Sequence, residues 1–306
     1  MPTIFVCGAT GTQGGALVSN ILKSPGLKAH AVARDPSSEA SEALKARGVT
    51  IFKGDFNDED SLRVAIQGCT GLFINLALDL TDLTQEVAQA KRLLSVGKKA
   101  GVEHVIYSSG ISVDQLERHR HWDPSSLIAR ALLNKREIEH EVRTAGFKYY
   151  TIIRPGNFMT NVLTPLVNMQ YPELVEKAEV TTPLAPDVLF PMVDTDDIGK
   201  FGVAAFQDPE RFNAKEFEIA SELMRLQDVM KAISKVTGRD VKINYMSQEE
   251  IDNQISTNPL LAGQLLFSDI VEFVDMDSVR AWGIPLGTFE DFLPRERERV
   301  AQTYFR

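Results

Sequence analysis

Ile4-Phe5-Val6-Cys7-Gly8-Ala9-Thr10-Gly11-Thr12-Gln13-Gly14-Gly15 opens with an apolar run, turns through glycines spaced three apart, and passes into a helical pattern. Gly8 supplies dihedrals that other residues resist. Gly11 lets the backbone approach a pyrophosphate, and Gly14 lets the helix pack against the sheet. The unpaired N–H groups and partial positive charge of the helix N-terminus then face the phosphates.

Outward from this stretch, the first half alternates two signals. Apolar runs at Ile4–Cys7, Ala29–Ala33, Val49–Phe52, Gly71–Leu76, His104–Tyr107 and Tyr149–Ile153 read as strands. Helical patterns lie between them, near Gln13–Lys23, Glu39–Arg47, Asp58–Gln67, Leu83–Ala100 and Leu127–Ala145. Runs apolar throughout are strands buried on both faces, and strands separated by helices imply right-handed crossovers. The expected fold is α/β, a doubly wound parallel sheet of the Rossmann type with a smaller, mainly helical C-terminal lobe.

The rhythm breaks after Ile153. Arg154-Pro155-Gly156-Asn157 is a loop signal, and Pro165, Pro172, Pro183, Pro186 and Pro191 follow in a stretch that reads as irregular. Order returns in a helix at Asp196–Gln207, a strand at Glu216–Ile219, a helix at Leu226–Thr237 and a strand at Val241–Tyr245. Helices then cover Gln248–Ile255, Pro259–Phe273 and Asp277–Trp282, and Pro294–Arg299 reads as a solvated terminal helix. The expected division is a dinucleotide-binding domain over 1–155 and a substrate or partner lobe over 156–306. Segments near 190–220 return to the first domain.

At 306 residues, 43% hydrophobic and 25% charged, the composition is that of an ordinary globular chain. The sum of 33 Lys+Arg and 42 Asp+Glu is −9. An acidic chain without a basic patch argues against direct nucleic-acid binding. Cys7 and Cys69 are too few for a disulfide framework and suit a reducing compartment. Met1-Pro2-Thr3 runs straight into the first strand with no leader pattern, and no run approaches the ~20 apolar residues of a membrane span. The expectation is a soluble cytoplasmic protein, with the nucleus also open to it and no membrane association. Nothing in the sequence fixes the oligomeric state.

The G-x-x-G-x-x-G spacing with Gly-Ala-Thr-Gly resembles the atypical short-chain dehydrogenase/reductase superfamily and, within it, the NmrA-like family. Ala33-Arg34-Asp35-Pro36, Lys53-Gly54-Asp55-Phe56 and Arg154-Pro155-Gly156-Asn157-Phe158 extend the resemblance over roughly residues 2–290. It implies an NAD(P)-binding Rossmann fold with Gly8, Thr10, Gly11, Thr12, Gln13 and Gly14 around the phosphates. Asp55 and Phe56 lie beside the adenine in such proteins, and Asn75 and Ala77 line the ribose and pyrophosphate. Lys135, Pro155, Asn157 and Phe158 complete the implied cofactor set. Asp55 also suits a plain Asx turn ahead of a helix capped by Asp58.

An NAD site usually ends its second strand with an acid for the ribose hydroxyls. Here Arg34 stands at that place, where a guanidinium grips a 2′-phosphate and stacks on adenine. NADP(H) is therefore favoured over NAD(H), although Asp35, one residue on, is suited to a ribose hydroxyl.

Reductases of the superfamily carry Tyr-x-x-x-Lys on the helix after strand five. Lys135 holds the lysine place, and the tyrosine place is Ala131, whose methyl group donates no proton. Two readings follow. The first, which the missing phenol favours, is a dinucleotide-responsive regulator or redox sensor acting through a protein partner. The second is an NADPH-dependent reductase of small carbonyl, enone or imine substrates. It uses Lys135 alone as its catalytic residue, as related isoflavone-reductase-like enzymes keep the lysine without the tyrosine, or another donor such as His119 or His121 ahead of the helix. Lys135 also reads as a surface lysine paired i,i+4 with Glu139. Ser109, His121, Trp122 and Met159 are pocket candidates, with Tyr107 beside them, while His119-Arg120-His121 also reads as a solvated loop. No metal site is expected, because the histidine pair has no third ligand at convincing spacing.

Overall fold

Each apolar run of the first half forms a strand, and each intervening helical pattern forms a helix. In the computed structural model, which describes residues 1–77, 82–255 and 257–305, the strands are β1 (Thr3–Val6), β2 (Lys28–Ala33), β3 (Thr50–Lys53), β4 (Gly71–Ile74), β5 (His104–Ser108) and β6 (Tyr149–Pro155). The helices between them are α1 (Thr12–Lys23), α2 (Glu39–Ala46), α3 (Glu59–Ile66), α4 (Gln85–Lys99) and α5 (Leu127–Thr144).

Strands β1 to β6 pair in parallel, and a seventh strand, Lys215–Ile219, lies beside β6. The order is 215–219, β6, β5, β4, β1, β2, β3. The chain thus winds outward from β1 through β3 and then resumes on β1's other side at β4, which makes the sheet doubly wound. Ligands of such sheets bind where the winding reverses, beyond the carboxyl ends of the strands. The turn 8–11 follows the end of β1 at that switch point.

Burial explains the near-continuous apolar strands. Every residue of β4 and β5 is buried, and Phe5, Cys7, Leu72, Ile74, Val105 and Tyr107 pack with Leu62, Leu93 and Ile138 from the covering helices. On the other side α1 lies against the helix Thr195–Gln207. Asn20 Nδ2 donates to Asp196 Oδ1 at 2.8 Å, and a Cβ on Gly199 would come within 2.6 Å of the Ala16 carbonyl oxygen.

The chain divides into two compact units: 1–113 with 130–154 and 195–217, and 114–129 with 155–194 and 218–306. The second unit is helix-rich but also holds strands that the proline-dotted stretch conceals. Asn157–Phe158, Leu189–Val193 and Glu222–Arg225 form one small sheet, and Glu179–Thr182 pairs with Lys242–Tyr245 in another. Pro191 lies within the middle strand of the first, where it faces Leu223. The expected helix Pro259–Phe273 breaks after Leu266 and resumes as a 3₁₀ turn at Ile270–Phe273.

Pro294–Arg299 is exposed or half-buried, as its alternating charges suggest, but it spans the junction of two helices whose other residues are packed. Helices Phe289–Arg295 and Arg297–Tyr304 bury Phe289, Phe292, Leu293, Val300 and Tyr304, and the Tyr304 hydroxyl donates to the Val162 carbonyl at 2.6 Å. Arg295 forms a two-pronged pair with the fully buried Asp194. Charge alternation along a helix reports the charges, whereas its other face makes the contacts.

Within the first unit, buried Glu139 receives both prongs of Arg154 at 2.8 and 2.7 Å, and Arg143 bridges Glu139 and Glu216. The hydrogen bond from Arg143, reinforced by the charges of Arg143 and Arg154, holds the Glu216 carboxyl below its ordinary value. A depressed carboxyl contributes its stability above its unfolded pKa, and that stability is lost as pH falls through the folded value. Glu216→Gln is therefore expected to lower the melting temperature at neutral pH and to match the wild type in strong acid. Thermal melts across pH check this; an equal deficit at both ends would count against the ion network.

Candidate functional site

The turn after β1 has the geometry that its glycines require. Gly8 adopts φ +62°, in the left-handed region, and its carbonyl accepts from the Gly11 amide at 2.8 Å. A Cβ on Gly14 would sit 2.2 Å from the Gly8 oxygen and 2.5 Å from the Cys7 oxygen, so the first turn of α1 rests directly on the loop. Helix α1 begins at Thr12 after Gly11 at the N-cap position, with no side-chain cap and no acid in its first turn. Its leading amides have no carboxylate competing for them, which suits an anionic ligand.

Three side chains tie this turn to neighbouring strand ends. Gln13 Nε2 donates to Asn75 Oδ1 at 3.0 Å, and Ser108 Oγ donates to Gln13 Oε1 at 2.6 Å. The links join the start of α1 to the segments after β4 and at the end of β5, fixing three edges of the switch point. Cys7, directly beneath, is fully buried, and desolvation pushes its thiol up to about 12. It is an inert core residue. Thr10 and Gly11 are exposed and Thr12 is half-buried; Ala77 is exposed past β4.

At the end of β2, Arg34 is exposed, with no hydrogen bond or ion pair among the described residues. Asp35 behaves differently. Its Oδ1 accepts from the Ser37 hydroxyl at 2.6 Å and the Ser37 amide at 2.9 Å, and these bonds hold its carboxyl below the usual range. Asp35 is thus engaged in its own turn while Arg34 extends from the strand end. Asp55 likewise makes the Asx turn, accepting from the Asn57 amide at 2.8 Å through Oδ1. Phe56 packs against the core, and Arg92 grips its carbonyl at 2.9 Å.

Lys135 is a built feature rather than a surface lysine. Its Nζ lies 2.8 Å from Oε1 of Glu86, a carboxylate 1% exposed in the first turn of α4. Glu139, the expected i,i+4 partner, instead belongs to Arg143 and Arg154. Ala131, one turn back on α5, is buried. Ser109 is buried, and so is Tyr107, in the core between strand and helices. Burial, followed by the charges of Glu86 and Glu139, pushes the Tyr107 phenol well above its ordinary value. It is a proton holder, unsuited to giving one up near neutrality.

The remaining candidates lie in the second unit. Asn157 accepts from Asn161 at 2.8 Å, Phe158 is half-buried, and Met159 is fully buried in the apolar cluster of that unit. Pro155 is buried. His121 is exposed and Trp122 half-buried. His119 departs from the solvated-loop reading: it is 4% exposed, its Nδ1 is 2.6 Å from Asp269 Oδ1, and its ring lies 4.4 Å from that of Phe273. Among the described residues no group of three or more His, Cys, Asp or Glu converges to hold a metal, and no helix is long and apolar enough to cross a membrane.

Glu86 is the functional candidate that sequence reasoning missed. It sits in an ordinary-looking Gln85-Glu86-Val87 stretch. The available signal was an acid placed on the inward stripe of a helix, among Val87, Ala90, Leu93 and Leu94.

The model of the NmrA-like family matches residues 1–281. The chain belongs to the NmrA-like family. Among its relatives, the NmrA-like family domain-containing oxidoreductase hkm9 of Aspergillus hancockii is 26% identical over 279 residues, covering 86% of this chain and 81% of that protein. The fold matches the NADPH-dependent quinone oxidoreductase QOR2 of Escherichia coli with a TM-score of 0.70 at 21% identity, over 95% of this chain and 98% of that one. It also matches NmrA, a negative transcriptional regulator solved in complex with NADP, with a TM-score of 0.71 at 21% identity over 98% and 97% of the two chains. The family's fold thus appears in proteins described as an oxidoreductase and as a regulator.

Proposed function

We propose that this NmrA-like protein binds NADP(H) at the head of α1 and acts as a reductase of small carbonyl, enone or imine acceptors, with Lys135 as its catalytic residue. The observation that carries the reductase reading is the Lys135–Glu86 pair. A fully buried carboxylate is costly unless paired, and here the pairing fixes one ammonium at the place where the superfamily keeps its lysine. The oxidoreductase names of the family's curated relatives lean the same way.

The glycine turn and the uncapped start of α1 suit the diphosphate, and Arg34 suits the 2′-phosphate. Bound NADPH would supply the hydride. Lys135 would give a proton to the acceptor's heteroatom and recover it from solvent, so that one hydride and one proton together reduce one double bond. The second reading, a dinucleotide-responsive regulator, is favoured by Ala131, which leaves α5 without the phenol that reductases of the superfamily use.

Purified protein mixed with NADPH and, in turn, a naphthoquinone, cyclohexenone and a cyclic imine tests the proposal by loss of NADPH absorbance. Saturable turnover of any one supports the reductase. NADPH binding by calorimetry with no turnover of any overturns it in favour of the regulator. Arg34→Ala is expected to raise the Kd for NADPH by roughly 10- to 100-fold, the worth of a charge-assisted bidentate contact, and to leave NADH within about twofold. Equal weakening of both would remove Arg34 from the 2′-phosphate.

A further inference from the structure

We propose that Glu86 is the positioning residue of this site: its buried carboxylate holds the Lys135 ammonium at one point, so that its proton is presented to the acceptor from a fixed direction. The inference rests on the reductase reading above for its consequence, but not for its geometry. Four elements converge on the pair. Glu86 comes from the first turn of α4, where the helix dipole favours an anion. Lys135 reaches it from α5, and its stem passes Gly110, on which a Cβ would lie 3.5 Å from the Lys135 Cδ. Tyr107, at the end of β5, and Ser109, just after it, bring two further hydroxyls into the same buried region.

The polarity of this region is more than folding requires. Glu86 Oε2 is buried without a hydrogen-bond partner, and the buried Tyr107 Oη and Ser109 Oγ have no partner beyond each other. Buried polar atoms are almost always paired, and each unpaired one costs stability that an apolar side chain would not. Structural ion pairs at the Glu139–Arg154 network satisfy their oxygens on both sides. The Glu86 pair does not, and it is made with a lysine 21% exposed rather than with a buried arginine. A lysine is the cation that can give up its proton, and an arginine in the same place could not. The pair is therefore arranged to present a proton-bearing group whose direction is set from behind.

Two measurements on the intact protein test this. Lys135 acetylation by acetic anhydride, followed peptide by peptide by mass spectrometry, reads the hold of Glu86 on the ammonium without any turnover. Glu86→Gln is expected to speed Lys135 labelling about fivefold, the worth of a modest ion pair, with the other lysines unchanged. Steady-state assays of the same variant are expected to show kcat lowered on the order of tenfold, with the NADPH KM within about threefold, and Glu86→Asp recovering part of the loss. Unchanged Lys135 labelling in a folded Glu86→Gln protein overturns the assignment, whatever the turnover. So does faster labelling of all lysines together, which reports loosened structure instead. If labelling changes at Lys135 alone while the wild type turns over no acceptor, Glu86 still positions Lys135, and the reductase reading is what fails.

Discussion

Gly14→Ala is expected to weaken NADPH binding by at least about 100-fold, or about 2.7 kcal/mol, and to destabilise the fold by about 1–3 kcal/mol. The added methyl would lie 2.2 Å from the Gly8 oxygen and 2.5 Å from the Cys7 oxygen, both backbone atoms at the end of a buried strand. Neither can swing away as a side chain would. The first turn of α1 must retreat instead, and the amides that face the phosphates retreat with it. The shift also strains the Gln13 bonds to Asn75 and Ser108, which join three edges of the switch point. Gly15→Ala supplies the contrast. Its Cβ would meet only the Ala9 oxygen, at 3.3 Å, and the substitution gains helix propensity. Calorimetry with NADPH and thermal melts on both variants decide the matter. Equal losses at positions 14 and 15 would mean that general crowding of the helix start, and not this one approach, governs the site.

The same contrast shows what the sequence makes legible. Strand and helix positions before residue 155 follow from runs and periods within a few residues of one another, and the glycine turn depends on the shortest sequence separation of all. Their physics is local, so the order of residues carries it. The second unit resists the same reading because its strands owe their existence to distant partners. Leu189–Val193 contains a proline and becomes a strand by pairing with Asn157–Phe158 and Glu222–Arg225. His119 and Asp269 are 150 residues apart, and nothing near either one signals the bond. Arg34 and Asp35 lie between these cases. Their positions at a strand end are evident from sequence, but only the bonds from Ser37 show the acid engaged elsewhere. Glu86 is the clearest case of hidden chemistry. An acid on a helix reads as solvated until the fold turns it inward against Lys135.

Lys135→Arg should abolish most turnover, lowering kcat by about 10²- to 10⁴-fold, while leaving the protein folded. Arginine keeps the positive charge that buried Glu86 needs, but a guanidinium does not release its proton in a protein. Lys135→Met makes the complementary change. It keeps the length of the stem and removes the charge, leaving Glu86 buried and uncompensated at a cost of up to about 3 kcal/mol. Combining Lys135→Met with Glu86→Gln replaces the pair by two neutral groups, so stability should return while turnover does not. Measuring kcat, NADPH affinity and melting temperature across the three proteins separates proton delivery from architecture. Turnover within about threefold of wild type in the folded Arg variant would remove Lys135 from the chemistry. In that event the dinucleotide site would stand and the donor would have to be sought elsewhere, because Ala131 carries no proton to give and Tyr107, buried and facing the charges of Glu86 and Glu139, holds its own too tightly.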